Sequence, residues 1–412
     1  MKHIYYRLNI KLESPMSIGS GKEKNTDSDI VLTSKGEPYI PGTSLAGIYR
    51  SLFEQKDKEK FFGYIKKEIC SHSPIIVYDG KCRNYSKGYI SNRDSVELDN
   101  YKTAKDGAKF DFEIAETGLE FVSYIELDKN HAQETETAVE NIILPALNSG
   151  KITLGHKTSR GYGKVSVTCH KKEFDIKTQL DEWLDFDMFD DDKWSCDDKI
   201  NIQEYMFDGE NIKIPLAQKG AVSIRRYVTD RAESEKESIP DYEQLTLKNA
   251  DPVIPGTSWA GAFRHRIRSC GICEDKINKL FGYINKTKEA KNLNSQKSKI
   301  HFSETILHGG EPKIITRNSI DRFSAETKEG ALFTEKTYYN GKTVLEIRIN
   351  KDIEPVMKKL VYACIVDLCE GYLAVGGLTA VGHGIFELEK GKKITVNGEE
   401  ADFFEKLKGG SA

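Results

Sequence analysis

The sequence predicts an α+β protein made of two tandem copies of one β-α-β-β-α-β domain. Three matches within the chain predict it. PYIPGTSLAGIYRSLF at 38–53 returns as PVIPGTSWAGAFRHRI at 252–267, offset by 214 residues. FFGYIKK at 61–67 returns as LFGYINK at 280–286, offset by 219, and LGHKTSRGYGKV at 154–165 returns as VGGLTAVGHGIF at 375–386, offset by 221. Three matches in one order at nearly one offset make a duplication.

The elements follow in the same order in both halves. YYRLNIKLES (5–14) and NIKIPLA (211–217) alternate apolar and polar residues, the period of a half-buried strand. In the IPGTS segments Pro41-Gly42 and Pro255-Gly256 break the chain, and Thr43-Ser44 or Thr257-Ser258 are expected to supply helix-capping hydroxyls. LAGIYRSLF and WAGAFRHRI then read as amphipathic helices. Two strands follow in each half (FDFEI and FVSYIEL; ALFTEKTYY and TVLEIRI), then a second helix (TETAVENIILPAL; EPVMKKLVYACIVDLCEGY) and a glycine-rich strand. This order is the split, ferredoxin-like arrangement, with helices on one sheet face and the other face expected to be open.

Composition bounds the rest. The 412 residues suit two or three domains, and the net charge of −3 hides an uneven distribution. Residues 173–198 hold nine Asp, two Glu and two Lys, so the remaining chain carries a net +6. The strip WLDFDMFDDDKWSCDD reads as an exposed connector, with WLDFDMF able to pack as a short helix, giving domains at 1–172 and 200–412 with an acidic linker at 173–199. No signal peptide or membrane span is seen, and eight scattered cysteines point to a reducing cytoplasm. Cys270 and Cys273 form a lone CxxC, with Cys70, His72 and Cys82 in the other half, so zinc is not expected.

Three features carry possible chemistry. A proline-glycine turn at a helix start aims backbone N–H groups outward as an anion site, with Ser44 and Arg50, or Ser258, Arg264, Arg266 and Arg268, beside it. A well-capped core helix with surface arginines has the same pattern. The glycine pairs Gly161/Gly163 and Gly382/Gly384 allow close backbone approach, with Lys157, Arg160 and Lys164 making the first copy basic and His383 in the second. A strand bulge serves equally well. Counting back 14 positions from Pro41 and Pro255 reaches Asp27 and Asp241, followed by Asp29 and Glu243. Such a carboxylate holds a divalent cation or takes a ribose 2′-hydroxyl proton; solvated loop acids are its plain alternative.

The two IPGTS segments, the progression RNSIDRFSAETKEGALFTEKTYYNGKTVLEIRI (317–349) and the glycine-rich strands resemble the RAMP superfamily, over nearly all of both copies. The nearest likeness is to the repeated backbone subunit of type III CRISPR effector complexes. That resemblance implies RRM-like cores with inserted thumb hairpins, binding to guide CRISPR RNA and other complex subunits, and cleavage of single-stranded target RNA. It also implies catalytic loop aspartates at Asp27 and Asp241, with Mg2+ or Mn2+ as the divalent cation. A non-catalytic backbone subunit and a guide-processing endonuclease are the alternatives; for the latter, His3, His72 and His156 offer no evident pairing. Two departures from the family are visible: Ala46 and Ala260 stand where a lysine is common, and SIGSGKEK (17–24) becomes SIRRYVTDRAESEKES (223–238) in the second copy.

Overall fold

The computed structural model describes residues 2–21, 26–66, 69–99, 102–127, 132–205, 207–227, 240–284 and 295–408. Most of the second-copy loop SIRRYVTDRAESEKES, and residues 22–25 of its counterpart, lie outside the described residues. The chain divides into two compact units, one of residues 1–158 and 162–206, the other of 159–161 and 207–412. Both are mixed α+β units built on antiparallel sheets.

The first unit contains β1 (Lys2–Leu12), α1 (Gly42–Arg50), α2 (Gln55–Phe62), β2 (Ile75–Val77), β3 (Gly80–Cys82), β4 (Ile90–Leu98), β5 (Ala104–Ala115) and β6 (Glu120–Leu127). A helical stretch, α3 (Ala132–Ala138) and α4 (Leu144–Asn148) joined through a π-turn, then leads to β7 (Val165–Asp175), α5 (Leu180–Leu184) and β8 (Lys199–Ile200). β1 sits centrally because alternate residues Ile4, Tyr6, Leu8, Ile10 and Leu12 bury completely on one face. It pairs antiparallel with β6 and β7, and both β2 and β3 pair with the far side of β6. Leu45 and Tyr49 of α1, with Val139, Ile143, Leu144 and Leu147, cover that face. β4 and β5 form a separate two-stranded hairpin.

The opposite face of this sheet is not open, and the acidic strip is the reason. Tyr5, Val122, Tyr124 and Phe174 point from that face into a second cluster with Met188 and Trp194, and Trp183 and Phe186 pack beside it. The Trp183 indole donates to the Tyr5 hydroxyl at 2.9 Å, and the Trp194 indole to the Met188 carbonyl at 3.0 Å. Among the carboxylates, Asp191 accepts from both Arg7 and Arg83 at 2.8 Å. The strip is thus more than an exposed connector: its aromatic residues, including those of the WLDFDMF segment, pack on the sheet, and their burial outweighs chain repulsion once the acids face water.

The second unit contains β9 (Gly209–Lys219), β10 (Tyr242–Gln244), α6 (Gly256–Ser269), α7 (Glu274–Phe281), β11 (Ile300–Phe302), β12 (Glu311–Arg317), β13 (Phe333–Tyr339), β14 (Lys342–Asn350), α8 (Pro355–Cys369) and β15 (Ile385–Leu388). Its main sheet runs β11-β14-β9-β15, all neighbours antiparallel. Ile212, Ile214, Leu216, Leu345, Ile347 and Ile349 meet Trp259, Phe263 and Ile267 of α6 and Val361, Ile365 and Leu368 of α8. β13 pairs antiparallel with β12 and parallel with the short β10. Here the other sheet face carries Lys213 and Val344 exposed, with Glu346 and Arg348 half-buried and paired at 2.9 Å. All eight cysteines are free. Among the described residues no helix is long and apolar enough to cross a membrane.

Candidate functional site

The two aspartates found by registering the repeats occupy one structural position. In the first unit the Asp27 amide donates to Asp111 Oδ1 at 3.0 Å, and the Asp111 amide donates back to Asp27 Oδ2 at 3.3 Å. In the second, the Thr334 amide donates to Asp241 Oδ2 at 2.9 Å, and the Asp241 amide donates to the Thr334 carbonyl at 2.8 Å. Each aspartate is thus fixed against the hairpin strand that follows it, β5 or β13. Asp27 is exposed and Asp241 half-buried. The acids two residues on differ from them in role. Asp29 is buried and accepts the Thr26 amide and hydroxyl at 3.1 and 2.6 Å, which shapes the loop. Glu243 lies within β10, opposite Arg226.

The strand residue next to each contact sets the surroundings. In the first unit Phe112 is buried, meets the Tyr162 ring edge-on at 6.0 Å, and lies under the Lys157 ammonium, which is also 4.6 Å from the Phe110 ring. Lys157 holds a left-handed backbone, φ +57°, and Leu378, its counterpart, does the same at +55°. A left-handed non-glycine residue costs energy, so its recurrence shows that the loop shape is imposed by packing. His156 also enters this neighbourhood: its Nε2 lies 3.7 Å, and Ser28 Oγ 3.3 Å, from where a Cβ on Gly19 would sit. Sequence reading set His156 aside for want of a partner in the chain; the register of the glycine-rich loop against the opening strand brings it here.

The second unit replaces this aromatic cluster with a polar one. Glu335 stands at the place of Phe112, fully buried, accepting the Ser223 hydroxyl and, at 3.1 Å, Arg225 Nε. The Arg225 guanidinium also lies 4.6 Å from the Tyr242 ring. His383 stands at the place of Tyr162, buried, with Arg317 Nη2 2.8 Å from its Nε2. A guanidinium has donors only, so Nε2 accepts and the imidazole proton resides on Nδ1. Burial first, then Arg317 and Arg225, hold the His383 basicity below its usual value against the opposing pull of Glu335. Sequence reading missed Glu335 and Arg225. The repeat register carries both, because residues following matched positions match too.

The IPGTS turns work differently from expectation. Pro41 and Pro255 are the cap residues, and neither Thr43-Ser44 nor Thr257-Ser258 supplies a capping hydroxyl. Ser44 and Ser258 lie inside the first turn, their amides bonded to the Pro41 and Pro255 carbonyls at 2.9 Å. The foremost amide of α1, from Gly42, donates to Asp79 Oδ1 at 2.6 Å, so an internal carboxylate takes the place of an anionic ligand. Glycine is required at both turns by close packing: a Cβ on Gly42 would lie 2.6 Å from the Val77 carbonyl oxygen, and one on Gly256 2.5 Å from that of Phe302.

The arginines and glycines separate into engaged and open sets. Arg264 donates to Glu274 at 2.6 Å and Asn278 at 2.5 Å, Arg268 to Glu274 at 2.8 Å, and Arg266 to Asp367 at 2.7 Å. Arg50 instead lines an open cavity of about 560 Å³. Gly163 and Gly384 are buried, and a Cβ at either would fall 1.9 Å from the carbonyl oxygen of Leu154 or Val375. Those two glycines let the chain fold back on itself and present no surface to a ligand. Gly161 and Gly382 share a left-handed φ of +87°, with Arg160 and Gly382 exposed. Cys270 and Cys273 are exposed free thiols. Among the described residues no group of three or more His, Cys, Asp or Glu is arranged to hold a metal ion.

A comparison with curated proteins finds no match. A family model of the RAMP superfamily matches twice, over residues 9–166 and 208–387, one match falling on each half of the internal repeat. With most of its length matched in two tandem stretches, the chain belongs to the RAMP superfamily as a two-domain member.

Proposed function

We propose that this chain is a backbone subunit of a type III CRISPR effector complex in the cytoplasm, binding guide CRISPR RNA and cleaving complementary single-stranded target RNA. The single observation that carries this reading is the shared position of Asp27 and Asp241, each pinned to a hairpin strand. The ferredoxin-like reading of each domain is supported by the sheet orders β7-β1-β6-β2 and β15-β9-β14-β11. The hairpins β4–β5 and β12–β13 are our candidates for thumbs, and the first domain, on this reading, runs through the acidic strip to about residue 206.

In the proposed reaction a ribose 2′-hydroxyl gives its proton to the loop carboxylate. Its oxygen forms a bond to the adjacent phosphorus, the bond to the 5′-oxygen breaks, and that oxygen takes a proton from solvent. The products are a 2′,3′-cyclic phosphate and a 5′-hydroxyl. Mg2+ or Mn2+ suits a site with one or two carboxylates and further oxygens from water and substrate phosphate. Asp27 with Asp111 offers two carboxylates; Asp241 with Thr334 offers one. Such a cation would neutralise charge developing on the phosphate. His156 lies near Gly19, and the Lys157 ammonium lies over the Phe112 ring next to Asp111.

A non-catalytic backbone role is favoured for the second domain by Thr334, which stands where the first has Asp111. Target-RNA cleavage by the assembled complex with Asp27→Ala, Asp241→Ala and both together tests these readings. Each active aspartate removes one cut of an evenly spaced set when mutated. Undiminished cutting by the double variant overturns catalysis by these residues and leaves the backbone role standing.

A further inference from the structure

We propose that the cavity beside Arg50 is a nucleotide pocket specific to the first domain, taking one unstacked nucleotide of single-stranded RNA. The inference deepens the RNA-binding reading above and rests on it. The cavity, about 560 Å³, is lined by Arg50, Gln55, Glu59, Phe62, Tyr64 and His72, with backbone and serine hydroxyls completing its wall. That volume lies within the range of small-ligand sites. Its chemistry is also that of a nucleotide: a guanidinium for phosphate, two rings on which a base stacks, and a Gln–Glu pair able to read a base edge.

The duplicated domain supplies the argument for specificity. By the repeat register Arg50 corresponds to Arg264, Gln55 to Glu274, Glu59 to Asn278 and Phe62 to Phe281. In the second unit Glu274 and Asn278 both accept from the arginine, whose guanidinium lies 5.8 Å from the Phe281 ring. That cation is neutralised within the protein. In the first unit the carboxylate opposite the arginine has become an amide, and Gln55 donates to Glu59 at 3.1 Å instead. Among the described residues Arg50 forms no ion pair, and it faces the cavity half-buried. Two differences, Gln55 for Glu274 and Glu59 for Asn278, thus separate the two units: the first unit's carboxylate is held by the Gln55 amide, and the arginine faces the cavity available to an anion.

The test titrates the full chain with 5′-AMP, and with adenosine as the phosphate-free control. Gln55→Glu, at the first position of α2 where a carboxylate suits the helix dipole, keeps the fold while recreating the Arg264–Glu274 arrangement. We expect 5′-AMP to bind wild type and to weaken about tenfold in Arg50→Ala and Gln55→Glu, the loss of one charge-assisted hydrogen bond. Adenosine should bind more weakly than 5′-AMP, and Arg264→Ala should bind like wild type. Absence of 5′-AMP binding to wild type, or binding undiminished in Gln55→Glu, overturns the pocket. Guide-RNA affinity measured on the same proteins keeps the two readings apart: guide binding without 5′-AMP binding sinks the pocket alone.

Discussion

Asp27 and Asp241 each accept one backbone N–H from the strand facing them, from Asp111 at 3.3 Å and from Thr334 at 2.9 Å. The hydrogen bond fixes one carboxylate oxygen of each aspartate against its hairpin strand. For the proposed reaction, an aspartate held this way would be positioned before substrate arrives, lowering the entropic cost.

Asp27→Asn preserves an oxygen that can accept the Asp111 amide and removes the proposed base. Cleavage at the corresponding target position should fall by roughly 10²- to 10⁴-fold, the usual worth of a positioned general base. Stability should change by less than about 1 kcal/mol, since the residue is exposed and its acceptor remains. Single-turnover cleavage and a denaturant titration measure the two effects; a variant that is equally inactive and grossly unfolded would point to a structural aspartate.

The difference between Asp111 and Thr334 gives the two domains different expected dependence on divalent cations. Asp111→Thr should raise the Mg2+ concentration for half-maximal cutting at the first site about 10- to 100-fold, as loss of a supporting carboxylate does elsewhere. Thr334→Asp should lower the requirement at the second. Equal Mg2+ curves for all three proteins would remove any role for the paired carboxylate.

The acidic strip makes a prediction about where the first domain ends. Trp194 is buried against Met188, Tyr124 and Phe186, so Trp194→Ala should cost about 3–5 kcal/mol. A first domain cut at residue 172 would uncover Tyr5, Val122 and Tyr124, and should aggregate or melt early. One cut at residue 206 should stay folded. Calorimetry of the two fragments decides between a strip that completes the domain and one that merely connects.

The legible parts of this chain were those in which a local pattern has one physical reading. The alternation in β1, the helix after Pro41, and the register linking Asp27 to Asp241 are periodic or repeated, so composition cannot disguise them. What escaped depends on tertiary partners. Asp79 lies 37 residues from the Gly42 amide it satisfies, and nothing local marks it as a helix cap. Trp183 and Trp194 lie among acids, and only the sheet face they cover shows where the strip packs. Arg50 and Arg264 read alike in sequence, and only the residues packed across from them tell a free guanidinium from a paired one.

The His383 site adds a pH dependence to the second unit. Its ring is neutral in the folded state, with basicity depressed below the ordinary value of 6.5 by burial and by Arg317 and Arg225, which outweigh Glu335. In the unfolded chain the same ring titrates near 6.5, so between that pH and the lower folded value the unfolded state binds more protons. Stability therefore rises with pH across this window, and is lost progressively as pH falls below about 6.5 until the folded ring also protonates. Protonation on Nε2 would set an N–H against the Arg317 guanidinium, which has no acceptor, so the contact at 2.8 Å cannot survive it. His383→Gln keeps an acceptor for Arg317 and cannot titrate. Its denaturation midpoint should fall less than that of wild type between pH 7 and pH 5, with His170, whose basicity is also depressed, contributing the same slope to both proteins. Parallel midpoint curves for the two proteins would show that His383 does not titrate in this range.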